Sequence, residues 1–172
     1  MEPNTFHKLG YGLYVVSSKK DKRFNGQIAN TVFQITSKPP TIAVSINKKN
    51  LTHDFTLESK LFTVSILSTE TPMKFIGRFG FKSGREIDKF ESVDYKIGVT
   101  GAPIVLENAI GYLEAEVINT VDVGTHVVFV GKVVDAQMLK DGEPMTYAYY
   151  HKVKGGKSPK TAPTYIDQKR TE

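Results

Sequence analysis

Short runs of β-branched and aromatic residues recur along most of this chain, and they constrain its fold more than any other feature. In residues 41–47, Ile42, Val44 and Ile46 alternate with small or polar residues, which is the period of a strand with one buried face. Turn-forming residues separate this run from others of the same style. The runs that predict strands are 11–18, 25–40, 41–47, 61–67, 110–121, 126–139 and 145–153. We therefore expect a mainly β fold, a closed or split antiparallel barrel with few helices.

The segments between these runs predict only short helices. Residues 50–60 suit one or two turns, and residues 86–92 suit a further turn. In 71–80, Thr71 is expected to be the N-cap, with Pro72 at the first helical position and Gly80 as the C-cap.

Two features of the strands predict where the chain turns and what it buries. Asn25-Gly26 suits the positive φ angles of a two-residue hairpin turn, and Pro39-Pro40 is expected to end the strand that follows it. In 110–121, Glu114 and Glu116 alternate with apolar residues, which predicts a half-exposed strand. The start of 126–139 is almost continuously apolar, as in a strand covered on both faces.

The composition predicts one domain and excludes several classes of site. The chain has 172 residues, 40% of them hydrophobic, which predicts a single domain over 1–172 with an extended basic tail from about 155. With no cysteine, disulfides, thiolate zinc sites, Cys-ligated iron–sulfur clusters and a cysteine nucleophile are excluded. The N-terminal residues lack an apolar segment, and no apolar run approaches the roughly 18 residues of a membrane span. We expect a cytoplasmic protein without a membrane segment.

The formal charge of +5 leaves an acidic partner open. Basic residues cluster in 19–23 and in 151–160, and each cluster could equally be a solvated surface. The aromatic residues lie in strand patterns and are not interleaved with the basic ones, so a small anion such as a phosphate fits the tail better than nucleic acid does.

The sequence does not match the catalytic and nucleotide-binding motifs that can be recognised from residue spacing. The "GGKS" at 155–158 resembles the end of a phosphate-binding loop, but His151 stands where that motif needs glycine and Pro159 stands where a helix should begin. No G-x-G-x-x-G and no G-x-S-x-G occur, and the scattered histidines predict no metal site. Chemistry carried by a bound cofactor remains.

Three segments could converge on a flat, phosphorylated ligand. Residues 25–36 set neutral amides and hydroxyls among apolar residues, which suits a neutral heterocycle. Residues 45–55 place Ser, Thr, Asn and Lys at a strand end before a helix, as a phosphate requires. His126 begins an apolar strand. The residues alone leave ordinary alternatives open: core amides, a simple helix cap and a structural histidine.

The order and spacing of several motifs carry a family resemblance. The run "NG-x-x-A-N-T", the Pro-Pro turn, the "N-K-x-N-x-T" loop and the "G-T-H" strand start occur in that order, together with "TGAPIVLENAIGYLEAEV" and "YAYYHKVKGGKSPKTAPTY". Over about residues 7–165 the chain resembles the flavin reductase-like family of FMN-binding split barrels. It is especially similar to the flavoredoxin type and to the flavoprotein module of high-molecular-weight rubredoxins.

The resemblance implies a homodimer with one FMN per subunit near the interface, and it implies the site residues. His126 matches the histidine of the family's Gly-Asp-His motif, read here as Gly124-Thr125-His126, and is the expected catalytic residue beside flavin and nicotinamide. The expected FMN-binding residues are Gln27, Ile28, Ala29, Asn30 and Thr31 at the ring, Ser45, Ile46, Asn47, Asn50 and Thr52 at the ribityl phosphate, and Phe79 and Lys154 nearby, with Lys157.

The function expected from the resemblance is an FMN-dependent oxidoreductase. Electrons would pass from NAD(P)H through FMN to a carrier protein, free flavin, ferric iron or oxygen. The first alternative is an electron-transfer flavoprotein of the flavoredoxin type without NAD(P)H activity. It would exchange electrons with a rubredoxin or ferredoxin, which must be a separate chain because this one lacks cysteine. The second alternative is a nucleic-acid-binding barrel without flavin.

Overall fold

The computed structural model of the chain describes residues 2–165. It is mainly β, with three short helices and a 3-10 turn at Pro3–Lys8. The helices are α1 Leu51–Ser59, α2 Met73–Gly80 and α3 Tyr147–Lys152. The strands are β1 Tyr14–Lys20, β2 Arg23–Ala29, β3 Val32–Ser37, β4 Pro40–Asn47, β5 Leu61–Leu67, β6 Tyr95–Ile97, β7 Pro103–Val105, β8 Ala109–Asp122 and β9 His126–Met138.

Seven strands form one antiparallel sheet in the order β2-β1-β5-β8-β9-β4-β3, and β6 and β7 form a separate two-stranded ribbon. The sheet edges β2 and β3 are neighbours in sequence, joined through Asn30 and Thr31. Only these two residues separate the two outermost strands, so the sheet curls until its ends meet, which is the predicted split barrel. The Thr31 carbonyl continues the β3–β4 pairing by accepting a hydrogen bond from the Ser45 amide (3.2 Å).

Two hydrophobic clusters hold this barrel and its helices. The first fills the barrel interior and includes Ile46, Phe62 and Phe129. The second lies between β1 and the helices, where Leu13 and Val15 meet residues from α2, α3 and β7. Burial of this second set fixes the end of α2 and the start of α3 against the barrel, beside the seam where β2 ends.

The run 25–40 is not one strand, and its first turn is not where the sequence predicts it. Asn25 and Gly26 lie inside β2, paired with Ser18 and Ser17. The hairpin turn comes earlier, at Asp21-Lys22, where Asp21 takes a positive φ of 52°. Aspartate tolerates this left-handed conformation almost as asparagine does. The Pro39-Pro40 turn is confirmed as the end of β3, and β4 begins at Pro40.

The predicted last strand, 145–153, is wrong, because residues 147–152 form α3. Thr146 caps this helix by accepting a hydrogen bond from the Tyr149 amide (3.1 Å). Its aromatic side chains Tyr147 and Tyr150 are three residues apart, so they share the helix face that packs on the barrel.

The helix limits predicted around 71–92 also shift. The N-cap of α2 is Pro72, because the Thr71 hydroxyl donates to the Ser68 carbonyl (2.7 Å) instead of capping the helix. The C-cap is Phe81, one residue beyond the predicted Gly80. Residues 86–92 form turns and no helix. The predicted helix at 50–60 is confirmed as α1.

The prediction that β8 exposes the face with Glu114 and Glu116 is wrong at Glu114. The Glu114 side chain is fully buried, whereas Glu116 is exposed. The Glu114 carboxylate accepts hydrogen bonds from the Val99 amide (3.1 Å), the Thr100 amide (3.1 Å) and the Thr100 hydroxyl (2.9 Å). In β9, burial alternates along the first half, so this strand is buried on one face rather than on both. Between residues 2 and 165, no helix has the length and apolar character needed to cross a membrane.

Candidate functional site

A cavity of about 360 Å³ opens at the seam of the barrel. Its walls are the end of β2, the end of β4, the start of α1, the end of α2 with the loop after it, and the chain after α3. The lining residues are Leu13, Asn25, Gln27–Thr31, Ser45, Asn47, Lys49–Thr52, Ile76, Phe79–Gly84, Lys89, Tyr147, Tyr150, Lys157 and Pro159–Pro163. The topology explains this convergence, because β2 and β4 meet only where the sheet closes on itself.

The β2 wall presents neutral polar groups whose partners are incomplete. The Gln27 Oε1 atom is buried and has no hydrogen-bond partner among residues 2–165. Asn30 donates through Nδ2 to the Thr164 hydroxyl (2.8 Å). A buried acceptor without a donor is unfavourable, so Gln27 is expected to be satisfied by a bound ligand.

The start of α1 presents hydrogen-bond donors. The N-cap residue Asn50 makes no side-chain capping hydrogen bond, and the His53 amide donates to the Asn50 carbonyl (3.0 Å). The amides of Leu51 and Thr52, at the start of the first turn, are therefore left for another acceptor. The buried Thr52 hydroxyl accepts from Asn25 Nδ2 (2.8 Å), which leaves its own proton available for donation. Such a helix start suits an oxyanion.

Asp54 is the acidic residue in the first turn of α1, and Arg85 forms an ion pair with it. Burial alone would raise the pKa of Asp54, but hydrogen bonds from His53 and Arg85 outweigh that effect and lower it. The Arg85 guanidinium lies 2.9 Å from the Asp54 carboxylate. The ion pair therefore reduces the repulsion that an anion at the helix start would meet.

Lys89 is an unexpected member of the wall. Its side chain is buried, with 5% of its surface exposed, and Nζ donates to the carbonyls of Gly26 (2.9 Å) and Phe79 (3.1 Å). An ammonium has three N–H donors, so one is left without a partner among the described residues. Burial lowers the pKa of Lys89 to about 8. The sequence gives no signal for this burial, since Lys89 lies in a charged, turn-like segment.

The tail, residues 156–165, folds back over the cavity mouth. Near its start, the Lys157 carbonyl accepts from the Tyr150 hydroxyl (3.0 Å), and Ser158 bonds to Tyr147. Near its end, Thr164 donates to the Tyr147 hydroxyl (3.0 Å) while it accepts from Asn30. The predicted basic tail is therefore bonded to the cavity wall up to residue 165, and its predicted continuation over 166–172 lies outside the described residues.

The structure brings most of the sequence-predicted residues together in this wall. Those that line the cavity are Gln27, Ile28, Ala29, Asn30, Thr31, Ser45, Asn47, Asn50, Thr52 and Phe79, with Lys157 of the tail. Their part in binding FMN stays a prediction.

Three predicted residues do not line the cavity. The Ile46 side chain is fully buried in the barrel interior, because it alternates with Ser45 and Asn47 along β4. Lys154 donates to the Thr71 carbonyl (3.0 Å) instead. His126 lies beside Asn47 at the start of β9, with Nε2 3.2 Å from the Thr161 carbonyl of the tail.

Sequence reasoning missed other lining residues: Asn25, Lys49, Lys82, Ser83, Lys89, Tyr147, Tyr150 and Lys160. The three-residue spacing of Tyr147 and Tyr150 could have revealed the face of α3, but the others carry no local signal. The complete lining includes five lysines and no aspartate or glutamate; the lysines are Lys49, Lys82, Lys89, Lys157 and Lys160. The wall is cationic.

No group of three or more potential metal ligands occurs among residues 2–165. The donors and acceptors of the wall fit a flat neutral ring that carries a phosphate: an unpaired amide oxygen on β2, hydroxyl and amide donors at α1, and surrounding lysines.

Comparisons with known proteins agree with this description. Residues 6–156 match the flavin reductase like domain. A high molecular weight rubredoxin of Moorella thermoacetica is 58% identical over 96% of this chain and 72% of its own length. A ferric-chelate reductase (NAD(P)H) of Archaeoglobus fulgidus is 54% identical over 98% of this chain and all of its own length. An FMN-binding protein from Thermus thermophilus, solved with p-hydroxybenzaldehyde, superposes with a TM-score of 0.72 at 29% identity, covering 81% of this chain and 78% of that one.

Proposed function

The chain belongs to the flavin reductase-like family, and we propose that it is an FMN-dependent oxidoreductase that accepts hydride from NAD(P)H. The observation that carries this proposal is the seam cavity, which combines the unpaired Gln27 amide oxygen on β2 with anion-binding donors at α1. The relative from Archaeoglobus fulgidus, named as an NAD(P)H-dependent reductase, supports the choice of electron donor.

The residues of the wall divide between the two ends of FMN. Gln27, Asn30 and Thr31 would hold the ring through neutral hydrogen bonds, and Thr52 with Lys49 and the first amides of α1 would hold the phosphate. When bound, FMN supplies a group that takes up two electrons as hydride and releases them singly or in pairs. The wall orients the ring, shields it from water and holds the phosphate.

The proposed electron acceptors are inferred from what the relatives are named for. One relative is a ferric-chelate reductase and another a high molecular weight rubredoxin, so ferric iron and a rubredoxin-like or ferredoxin-like carrier are the acceptors we favour. Free flavin and oxygen are two further candidate electron acceptors. Dependence on NAD(P)H also fits a cytoplasmic location.

One observation favours the alternative of an electron-transfer module without NAD(P)H activity. His126, the residue expected beside the nicotinamide, lies outside the cavity lining and within hydrogen-bonding distance of the tail carbonyl of Thr161 (3.2 Å). A histidine held by this contact is not free to act on a substrate.

We also propose that the protein is a homodimer. The edge strand β3 exposes Phe33 (59%) and Ile35 (44%), and the β8–β9 hairpin exposes Ile118 and Val121 on the same sheet. An exposed apolar edge strand invites pairing with another chain. Replacing both Phe33 and Ile35 with Asp should yield monomers in sedimentation experiments. Ile97→Asp, at an exposed position on β6, should not change the mass.

The spectrum of the purified protein tests the function. A flavin spectrum, or its appearance on adding FMN, is expected, followed by anaerobic bleaching of the flavin band with NADH or NADPH. A protein with bound FMN that neither nucleotide bleaches would be an electron-transfer module. A colourless protein that takes up no FMN would contradict the proposal and favour the nucleic-acid-binding barrel.

A further inference from the structure

The tail brings two lysines to the cavity mouth on a backbone that is fixed on both sides of them. Before Lys157, the ring of Tyr150 lies against Gly156 so closely that a Cβ atom there would come within 2.1 Å of it. After Lys160, the Thr161 carbonyl lies 3.2 Å from His126 Nε2. Lys157 and Lys160 thus line the cavity in a defined place, although their side chains are exposed.

Neither tail ammonium has a partner in the protein. Among residues 2–165, no ion pair or side-chain hydrogen bond involves Lys157 Nζ or Lys160 Nζ, and the cavity lining contains no carboxylate. Like charges collected without counter-ions repel one another, and a bound anion relieves that repulsion.

The positive charge of the wall exceeds what FMN requires. The phosphate of FMN carries about two negative charges at neutral pH. The amides at the start of α1 and the Thr52 hydroxyl, with two further lining lysines, Lys49 and Lys82, could supply the donors that it needs. The two tail lysines are left for the second ligand that an oxidoreductase of this kind must admit to the same cavity.

From this charge excess we infer that Lys157 and Lys160 select a nicotinamide nucleotide with an additional phosphate, so that the enzyme prefers NADPH to NADH. This inference rests on the proposed function. The two nucleotides differ only in the 2′-phosphate, which adds about two negative charges. Charge-assisted hydrogen bonds from the two lysines to this group, rather than to the pyrophosphate that both nucleotides share, would favour NADPH.

The test compares a tail variant with a charge-matched control. Lys157→Gln/Lys160→Gln removes both tail charges, and Lys132→Gln/Lys152→Gln removes two exposed lysines that do not line the cavity. The control separates local contacts from long-range steering by net charge. For each FMN-loaded protein, we would measure kcat/KM for NADPH and NADH, and the affinities for NADP+ and NAD+ by calorimetry.

The wild-type and control proteins should prefer the phosphorylated nucleotide by about tenfold at low ionic strength in both measurements. The tail variant should lose this preference, and added salt should weaken it in wild type. Absence of a wild-type preference, or equal loss in the control, would overturn the inference. So would a tail variant that keeps the preference but binds FMN weakly while binding riboflavin normally, since the lysines would then serve the flavin phosphate.

Failure of the proposed function gives a different result. If FMN binds and neither nucleotide reduces it, the hydride-transfer proposal is wrong, while the calorimetric comparison of NADP+ with NAD+ still decides the charge preference.

Discussion

Two buried ionisable side chains in this protein meet very different surroundings. Glu114, in the middle of β8, is fully buried and receives three hydrogen bonds from the loop at Val99 and Thr100. Lys89, at the cavity wall, is almost as buried but has two neutral carbonyl partners and no carboxylate among the described residues. The carboxylate is satisfied within the fold, and the ammonium is not.

The difference separates a structural group from one that a ligand can complete. A buried charge is tolerated when hydrogen bonds satisfy it, as at Glu114, where both carboxylate oxygens accept. A buried charge with an unused donor beside a cavity is unfavourable in the empty protein and favourable once an anion is bound. We therefore propose that Lys89, like Gln27 Oε1, meets a bound ligand.

The largest effect is expected at Glu114. Glu114→Gln places an amide NH2 or a neutral oxygen against three donors, and the loss of up to two charge-assisted hydrogen bonds should lower the free energy of unfolding by about 4 kcal/mol. Glu116→Gln, two residues along the same strand and exposed, should change it little. Denaturant unfolding measures both. If the two variants lost similarly small amounts of unfolding free energy, the hydrogen bonds of Glu114 would not be important for stability.

The pH dependence of stability should reveal Lys89. An unfolded lysine has a pKa near 10.5, whereas burial lowers that of folded Lys89 to about 8. Between these values the unfolded chain holds a proton that the folded chain has released, so the free energy of unfolding rises with pH. Relative to Lys89→Met, the wild type should gain about 3 kcal/mol from pH 7 to above pH 10.

Exposed Lys140 provides the control for this measurement. Relative to Lys140→Met, the wild type should show no such gain over the same pH range. A Lys89 profile as flat as that of Lys140 would mean that the Lys89 ammonium is solvated.

A smaller effect is expected at Thr52, whose hydroxyl accepts a hydrogen bond within the fold but keeps its own proton for a ligand. Thr52→Val removes the hydroxyl proton offered to a phosphate, and it should weaken FMN binding about tenfold while leaving riboflavin binding nearly unchanged. Fluorescence titration with the two flavins measures this difference. Thr56→Val removes a hydroxyl that donates to a carbonyl within α1 and should not alter the FMN-to-riboflavin ratio. Equal losses for both flavins at Thr52 would argue against a phosphate contact.

The smallest effect on stability is expected at Gln27, and it should be opposite in sign to that at Glu114. Gln27→Met removes a buried acceptor that has no partner, so the empty protein should be as stable as wild type or more stable, within about 1 kcal/mol. Its FMN affinity should fall by several-fold, as measured by the same titration. A clear loss of stability with unchanged affinity would place Gln27 among the structural groups.

Local sequence patterns predicted the strands and the part of the site that follows from them. Residues 41–47 alternate as a strand, and 50–60 follow it as a short helix, so the wall formed by Asn47, Asn50 and Thr52 was accessible from the sequence. The position of Lys89 in the cavity wall could not be predicted from local sequence, because its acceptor Gly26 lies 63 residues away in the chain.

The burial of Glu114 likewise depends on long-range contacts, with a loop that covers one face of β8. Propensity also failed in α3, where aromatic residues suggested a strand and packing on the second hydrophobic cluster selected a helix.

The attachment of the tail has a consequence for electron transfer over distance. Because Thr164 is hydrogen-bonded to Asn30, the backbone near residue 165 lies at the rim of the cavity. A redox module joined to the chain beyond this point would begin its tether beside this cavity rather than across the barrel. A short tether of this kind holds two centres at millimolar effective concentration. Electron exchange between them would then be nearly independent of protein concentration, whereas a separate carrier would have to find the same opening by diffusion.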